Sequence, residues 1–196
     1  MIKKRTVHGH QIEPWLDQIG ELRIKVFREF PYLYDGSEEY EQEYLQKYLD
    51  SDESIAVLII DDDHLVGVST GIPLQDESND FKKPFIEAEF DLQKIFYCGE
   101  SVLLPAYRGL GLYKHCFSER EHHARSLGRF EWITFCAVVR EADHPLRPQN
   151  YKPLDQIWEK YGYQKDPHLN TYFPWKEINK EKETEKEMIF WMKELS

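Results

Sequence analysis

The spacing of apolar residues changes several times along the chain, and each change predicts a new secondary structure element. Residues 5–9 are typical of a short strand. After Pro14, apolar residues recur every three or four positions, which predicts an amphipathic helix that ends near Pro31. The apolar face of this helix is formed by Trp15, Ile19, Leu22 and Val26.

The following segments predict a second helix and a hairpin. Ser37 is a suitable N-cap for a helix in which tyrosines recur every four residues, a stripe more typical of a core than of a binding site. Residues 54–60 and 65–72 are two β-runs around a short acidic turn, as in a hairpin. Residues 75–91 are polar and predict a loop with a brief helix. The tyrosines of the stripe are Tyr40, Tyr44 and Tyr48.

The second half of the chain continues the alternation of strands and helices. A fourth strand reaches Leu104, and a turn with two glycines then leads into a helix that ends at Gly128. A fifth strand is predicted at residues 130–139. The charged residues 179–187 predict a solvated hairpin tip. The remaining predictions are a helix at residues 154–161 and strands at residues 172–178 and 188–195.

Composition and charge narrow the class of protein. The chain has 196 residues, and residues 1–196 are expected to form a single domain with a sizeable core. A net charge of −11 disfavours nucleic acids and anionic membranes as partners. No apolar run approaches the length of a membrane span, and the basic N-terminus lacks the apolar core of a signal peptide. A cytoplasmic location is therefore expected.

The sequence predicts no metal site. The aspartates of residues 61–63 occupy one short turn and cannot all face a single ion. The histidines of residues 115–123 are typical of a helix surface. The cysteines lie in apolar segments, which indicates buried, reduced thiols rather than disulfides; they are Cys98, Cys116 and Cys136.

The turn before the helix at residues 112–127 has the properties of an anion-binding site. Gly109 and Gly111 let main-chain amides approach a ligand without obstruction by a Cβ atom. The first amides of the helix lack intrahelical partners and lie at its positive end, which suits a pyrophosphate. The turn lacks the Lys-Ser/Thr of a Walker loop and the third glycine of a dinucleotide fingerprint. An ordinary corner between strand and helix is the alternative.

This turn resembles the signature of the GNAT superfamily of acyl-CoA-dependent N-acyltransferases, Arg/Gln-x-x-Gly-x-Gly/Ala between a fourth strand and a helix. Five of its six positions match, and the departure is Tyr113, where the family usually has glycine or alanine. The order of the predicted elements also follows the family along nearly the whole chain. The segment consists of Arg108, Gly109, Leu110, Gly111, Leu112 and Tyr113.

The resemblance implies a mixed α/β fold, with a mostly antiparallel sheet of six to seven strands and about four flanking helices. Strands 4 and 5 of such a sheet splay apart at one end. Acetyl-CoA, as cosubstrate and without a metal, would lay its pantetheine arm along the free edge of strand 4 and its pyrophosphate at residues 108–113. The matching edge residues are Val102, Leu103 and Leu104.

The implied reaction is direct transfer of an acetyl group to a primary amine of a small molecule, through a tetrahedral intermediate. Glu100 is the candidate base for the proton of the amine, because strand alternation places it among apolar residues. The alternative is a structural role for Glu100 as partner of an arginine such as Arg140.

The proton donor for the leaving thiolate departs from the family's pattern. The family often uses a tyrosine in a motif that resembles Tyr-x-x-x-Gly-Phe, but the matching segment here begins with Trp158. Either Tyr161 or Tyr151 substitutes for that tyrosine, or the thiolate leaves unaided. Tyr161 is the candidate within the motif.

The resemblance also implies an acceptor side, and the acidic chain favours a cationic amine there. Two alternatives to small-molecule acetylation are a non-catalytic acyl-CoA sensor and an acetyltransferase for a protein N-terminus or lysine. Monomer and homodimer are both compatible with the sequence. The candidate acceptor residues are Arg23, Phe27, Tyr32, Tyr34, Asp143 and His144.

Overall fold

The structure is a computed structural model that describes residues 1–195. Eight strands within these residues form one sheet. Only the β4–β6 pair is parallel among the described strands, so the predicted, mostly antiparallel mixed sheet is confirmed. The order across the sheet is β1-β2-β3-β4-β6-β8-β7, and β5 also pairs with β3. The strands are β1 (Ile2–His8), β2 (Ile55–Asp61), β3 (His64–Pro73), β4 (Ile95–Tyr97), β5 (Ser101–Leu103), β6 (Trp132–Val138), β7 (Gln164–Lys176) and β8 (Glu183–Glu194).

Helices cover both faces of the sheet. A 3-10 segment, Gly9–Trp15, precedes the first α-helix, so that helix begins later than the apolar pattern predicts. The Ser37 hydroxyl accepts a hydrogen bond from the Tyr40 amide, which confirms the predicted cap of the second helix. The described helices are α1 (Leu16–Phe27), α2 (Glu38–Asp50), α3 (Asn79–Glu87), α4 (Leu112–Ser126) and α5 (Asp155–Lys160).

Strand β2 explains why its segment is continuously apolar. Ala56, Leu58 and Ile60 belong to the core layer that includes buried residues of α1, α2 and α3. The alternate residues belong to a second layer with buried residues of α4; they are Ile55, Val57 and Ile59. Because successive side chains point to opposite faces, a strand covered on both faces is apolar at every position.

Strand 4 of the sequence prediction is interrupted. β4 and β5 are separated by residues 98–100, and both pair with β3, at different positions along it. Counted as one strand with an irregular middle, they bring the total to seven, the upper end of the predicted range. The five helices exceed the predicted four by one.

The C-terminal hairpin is longer than predicted. β7 begins at Gln164 rather than at residue 172, and its pairing with β8 shifts between Asp166 and Asn170. The predicted solvated tip at residues 179–187 is wrong at Lys186, which is buried and donates to the Trp175 and Thr184 carbonyl oxygens. The charged residues here were interpreted as a solvated tip, but a strand with one exposed face can also carry charges, and β8 begins at Glu183.

Two further observations concern membranes and metals. Among residues 1–195, no helix combines the length and the apolar character that crossing a bilayer requires. The same residues contain no group of three or more histidine, cysteine, aspartate or glutamate side chains arranged to hold a metal ion. All three cysteines are free and buried, as predicted.

Candidate active site

A gap in the sheet lies where β4 and β6 stop pairing. The two strands run in parallel from Ile95 opposite Trp132 to Tyr97 opposite Thr134, and the Cys98 amide then donates to the Thr134 carbonyl oxygen at 2.7 Å. Beyond that bond β5 pairs with β3 only, while β6 continues along β8. The splay predicted between the fourth and fifth strands of the sequence, which are β4–β5 and β6 in the structure, is therefore present.

Two residues on the edge of β5, Ser101 and Leu103, present their main-chain groups to this gap. The Thr70 amide donates to the Glu100 carbonyl oxygen at 3.1 Å, and the Leu104 amide donates to the Val66 carbonyl oxygen at 2.9 Å. Both of these bonds point toward β3. Because the hydrogen-bonding direction alternates along an antiparallel strand, the amides and carbonyls of Ser101 and Leu103 point the other way, into the gap.

Sequence reasoning identified part of this edge. Of the predicted residues, Leu103 presents its main chain to the gap, whereas Val102 and Leu104 direct theirs to β3. Ser101 was missed, because the register that decides the direction depends on pairing with a strand some thirty residues earlier.

The glycine corner lies directly after this edge, between β5 and α4. Gly109 and Gly111 have φ values of +79° and +75°, and a Cβ atom on either would meet no atom within 4 Å. The backbone therefore requires glycine while the protein itself leaves the space beside it open. Since α4 starts at Leu112, its first unpaired amides border that space, and the corner fits a pyrophosphate group. Leu110, between the glycines, is exposed.

Arg108 connects the corner to the gap. Its Nε donates to the Leu103 carbonyl oxygen at 3.1 Å, one of the groups that face the gap. Its Nη2 lies 2.9 Å from a carboxylate oxygen of Glu29, and both side chains are partly exposed. The guanidinium is thus held across the edge of β5 by contacts that water can replace.

Tyr113 does not obstruct the corner. Its hydroxyl accepts a hydrogen bond from Trp158 Nε1 at 2.9 Å, and its ring packs 4.8 Å from that of Phe117. The side chain is therefore directed toward α5, away from the two glycines. Burial raises the pKa of Tyr113 to about 12, so the hydroxyl keeps its proton at neutral pH.

The two tyrosines considered as proton donors lie in different places. Tyr161, at the C-terminal end of α5, packs 5.0 Å from Phe117 and belongs to the same aromatic group as Tyr113. Tyr151 packs edge-on against Phe30, in the loop before α5. Tyr161 is therefore the one that shares the α4–α5 wall with Tyr113.

Glu100 is buried and pairs with an arginine, as the structural alternative for this residue predicted, although the arginine is not Arg140. One of its oxygens accepts a hydrogen bond from Arg23, and the other accepts one from Thr70 Oγ1 at 2.8 Å. Arg140 instead donates to the Pro31 carbonyl oxygen and pairs with Glu177. The alternative structural role of Glu100, as partner of an arginine, is therefore present, but the arginine is Arg23 of α1 and the suggested Arg140 is wrong.

Arg23 joins two carboxylates in a buried network. Its Nε lies 2.5 Å from a carboxylate oxygen of Glu41, and its Nη1 contacts Glu100. Burial opposes the charge of Arg23, but Glu100 and Glu41 outweigh it and hold the pKa well above the ordinary value. Lys47 and Glu77 form a second pair at 2.5 Å, and burial lowers the pKa of Lys47. The formal charges of these five side chains, two cations and three carboxylates, sum to −1.

A chain of hydroxyl groups leads to Glu100. The hydroxyl oxygens of Tyr48 and Thr70 are 2.9 Å apart, and Thr70 in turn donates to Glu100. A Cβ atom on Gly99 would lie 2.0 Å from the Tyr48 hydroxyl oxygen, so glycine is needed beside this chain. The tyrosine stripe of α2 was interpreted as core, and nothing in its spacing signals the hydroxyl contact.

An aromatic cavity adjoins the gap. It encloses about 90 Å³, and four of the predicted acceptor residues line it: Arg23, Phe27, Tyr32 and Tyr34. Gly99 and Cys136 also line it, which puts one end of the cavity where β4 and β6 separate. The remaining aromatic wall consists of Tyr40, Tyr44, Phe81, Tyr97, Phe173 and Trp175.

Asp143 and His144 do not line this cavity. Both lie in the loop after β6, where Asp143 is exposed, and the His144 ring contacts Phe30 at 5.6 Å. The structure therefore brings four of the six predicted acceptor residues together. Most of the aromatic wall was missed, since its residues come from segments far apart in the chain.

Comparison with known proteins identifies the fold. No family model matches the chain, and no curated protein matches it. Arabidopsis thaliana NAA60 in complex with acetyl-CoA is 12% identical with a TM-score of 0.64, over 100% of this chain and 99% of that chain. A GNAT-family acetyltransferase of Staphylococcus aureus Mu50 is 13% identical with a TM-score of 0.61, over 100% of both chains. One from Streptococcus pneumoniae is 12% identical with a TM-score of 0.59, again over 100% of both. The chain therefore has the fold of the GNAT acetyltransferases, as the signature at residues 108–113 predicted.

Proposed function

We propose that the protein is an acetyl-CoA-dependent N-acetyltransferase that acts on a primary amine of a small molecule. The observation that carries the proposal is the continuity of the open gap beside β5 with the glycine corner at its end. A pantetheine arm needs main-chain partners along an edge, and a pyrophosphate needs free amides. The similar Arabidopsis protein was solved with acetyl-CoA, which supports the same ligand here.

The residues of the corner and the edge would bind and orient the cosubstrate. The amides of residues 109–113 would hold the pyrophosphate, and Arg108 would exchange its contact with Glu29 for a phosphate oxygen. Ser101 and Leu103 offer main-chain groups to the pantetheine arm. When bound, acetyl-CoA supplies an acetyl thioester, which a neutral amine can attack.

Glu100 is the group proposed to take the proton of the amine. Both of its oxygens are already hydrogen-bonded, but each carboxylate oxygen has a second lone pair that can accept from the amine or from a bridging water. The cavity that would hold the amine ends at Gly99, the residue before Glu100. The proton would therefore pass to Glu100 beside residues 98–100, which separate β4 from β5.

A tyrosine hydroxyl on the wall between α4 and α5 is proposed to donate to the thiolate. Tyr161 follows from the family pattern, while Tyr113 receives the Trp158 hydrogen bond and still has its own proton to donate.

The second candidate function is a sensor that binds acyl-CoA without turnover. The engagement of both Glu100 oxygens and the tryptophan at position 158 favour it.

The cofactor part of the proposal can be tested with two matched glycine variants. Gly111→Ala and Gly128→Ala place alanine at φ values of +75° and +72°, at opposite ends of α4, and neither Cβ meets an atom within 4 Å. Both should lose about 1 kcal/mol of stability through backbone strain. Only Gly111→Ala puts a methyl group where the pyrophosphate would lie.

The measurement is binding of CoA and acetyl-CoA by calorimetry and by the shift in unfolding temperature, with longer acyl-CoAs and ADP for comparison. Gly111→Ala should weaken CoA binding about tenfold or more, which is at least 1.4 kcal/mol, while Gly128→Ala binds like the unmodified protein. Equal affinities in both variants would show that the corner does not hold the pyrophosphate. Tight binding without amine-dependent release of CoA would favour the sensor.

A further inference from the structure

We propose that the acceptor is a primary amine joined by a short alkyl chain to a single aromatic ring, with no carboxylate on the molecule. This inference rests on the proposed function and names the substrate class of the same site. Its basis is the juxtaposition of an aromatic cavity, a buried cluster with one excess negative charge, and the end of the gap in the sheet.

The walls of the cavity suit a flat ring. Phe81 and Phe173 stack with their centroids 5.3 Å apart, and the rings of Tyr32 and Trp175 lie 5.9 Å apart. Such walls offer ring faces and edges to an inserted ring, which prefers offset or edge-on contacts. A flexible aliphatic or polyamine chain would gain less from these surfaces and would lose more conformational freedom on binding.

The size of the cavity limits the ring. It encloses about 90 Å³, whereas an engineered cavity that binds benzene measures about 150 Å³. A single ring therefore occupies the whole space and extends toward the open mouth near Tyr40, which is 39% exposed. An indole or naphthalene would require the walls to move apart.

The charges beside the cavity favour an ammonium group and disfavour a carboxylate. Arg23 is the charged residue that lines the cavity, but Glu41 and Glu100 already pair with it and its guanidinium stacks 4.2 Å from the Tyr44 ring. With Lys47 and Glu77 included, the cluster carries one excess negative charge. An ammonium ion would neutralise this charge, and a carboxylate would double it.

The charges near Trp175, another residue of the cavity wall, have the reverse sign, which would orient the ligand. Behind Trp175 lie Arg140 and Lys186 with Glu177, a group with one excess positive charge. The ammonium end of a ligand would be repelled from that wall and attracted toward Gly99 and the Glu100 side. That end of the cavity is also where β4 and β6 separate, so the amine would face the gap.

The experiment compares four amines that differ in one property each. Phenethylamine is the expected ligand, hexylamine lacks the ring, phenylalanine adds a carboxylate, and tryptamine has a larger ring. Equilibrium binding is measured on the CoA-saturated protein by calorimetry, and CoA release from acetyl-CoA is measured in parallel with the same amines and with spermidine. We expect phenethylamine to bind at least tenfold more tightly than hexylamine, phenylalanine or tryptamine.

Two neighbouring residues of β7 provide a matched pair of variants. Phe173 lines the cavity, whereas Tyr172 points to the other side of the strand and is 55% exposed. Phe173→Ala should reduce the preference for phenethylamine over hexylamine to within about threefold and should admit tryptamine. Tyr172→Ala should leave the preference unchanged.

The outcomes separate this inference from the proposed function. Preferential binding of phenethylamine without CoA release would support the inference and contradict catalysis. Acetylation of spermidine, hexylamine or phenylalanine at least as efficiently as phenethylamine would support catalysis and overturn the inference. Equal affinity for all four compounds, or loss of the preference in Tyr172→Ala, would also overturn it.

Discussion

The two sides of the gap are built in different ways. The proposed cofactor side is one continuous stretch, residues 101–113, where main-chain amides and carbonyls would be the ligand groups. The proposed acceptor side is formed by side chains from α1 and the loop after it, α2, α3, β4, β6, β7 and β8. One side therefore depends on backbone conformation and open space, and the other depends on which side chains converge.

This difference determines how each side can change. Main-chain ligand groups survive most substitutions, provided that the glycines keep their positive φ values. Side-chain walls change with each substitution, so the acceptor side can adopt a new specificity without altering the cofactor side. Variants should accordingly divide into those that affect CoA affinity and those that affect the amine.

The largest effect is expected for Glu100→Gln. Loss of the proposed proton acceptor should lower kcat roughly hundredfold, within the range of general base catalysis, and leave CoA affinity unchanged. Activity should recover as pH rises, because the free amine then becomes more abundant without a base. Steady-state kinetics between pH 6 and 10 measure this.

Glu41→Gln is the matched control for that prediction. It removes a carboxylate from the same Arg23 and should cause a similar fall in unfolding temperature, but Glu41 belongs to α2 and contacts Nε of Arg23, whereas Glu100 contacts Nη1. We expect a higher KM for the amine with kcat retained. If the two variants lose kcat equally, Glu100 acts through the charge network alone, and the acceptor side contains no base at that position.

The division also explains what the sequence could predict. The GNAT-like order of elements and the glycine corner follow from local patterns, since φ values of +79° and +75° require glycine within a few residues of a helix start. The partner of Glu100 could not be found this way, because Arg23 is 77 residues earlier and both Arg23 and Arg140 were chemically suitable. The direction of the Tyr113 side chain depended likewise on Trp158, 45 residues away.

A second comparison concerns the proposed proton donor on the wall between α4 and α5. If Tyr113 donates to the thiolate, Tyr113→Phe should lower kcat about tenfold and Tyr161→Phe should have a smaller effect. The reason is that Trp158 fixes the Tyr113 hydroxyl at 2.9 Å and leaves its proton for another acceptor. The family pattern predicts the reverse order for these two variants.

The readout is kcat with acetyl thioesters of thiols that differ in acidity. A variant without its proton donor should lose most activity with the more basic leaving thiol, while a packing defect lowers all rates alike. A uniform loss in both variants would assign the two tyrosines to packing of α4 against α5. Equal, full activity would indicate that the thiolate leaves without assistance.

The smallest effect is expected on the cofactor side, at Arg108. Arg108→Ala should weaken CoA binding about three- to tenfold, because one charge-assisted contact to phosphate is lost while the main-chain ligands stay. Glu29→Gln removes the competing carboxylate that lies 2.9 Å from Arg108 in the free protein and should strengthen CoA binding slightly. Calorimetry at low and high salt measures both changes, and the difference between the variants should shrink at high salt because partly exposed charges are screened. If Arg108→Ala binds CoA as tightly as the unmodified protein, the arginine holds only the edge of β5 through Leu103, and the corner binds the pyrophosphate with main-chain amides alone.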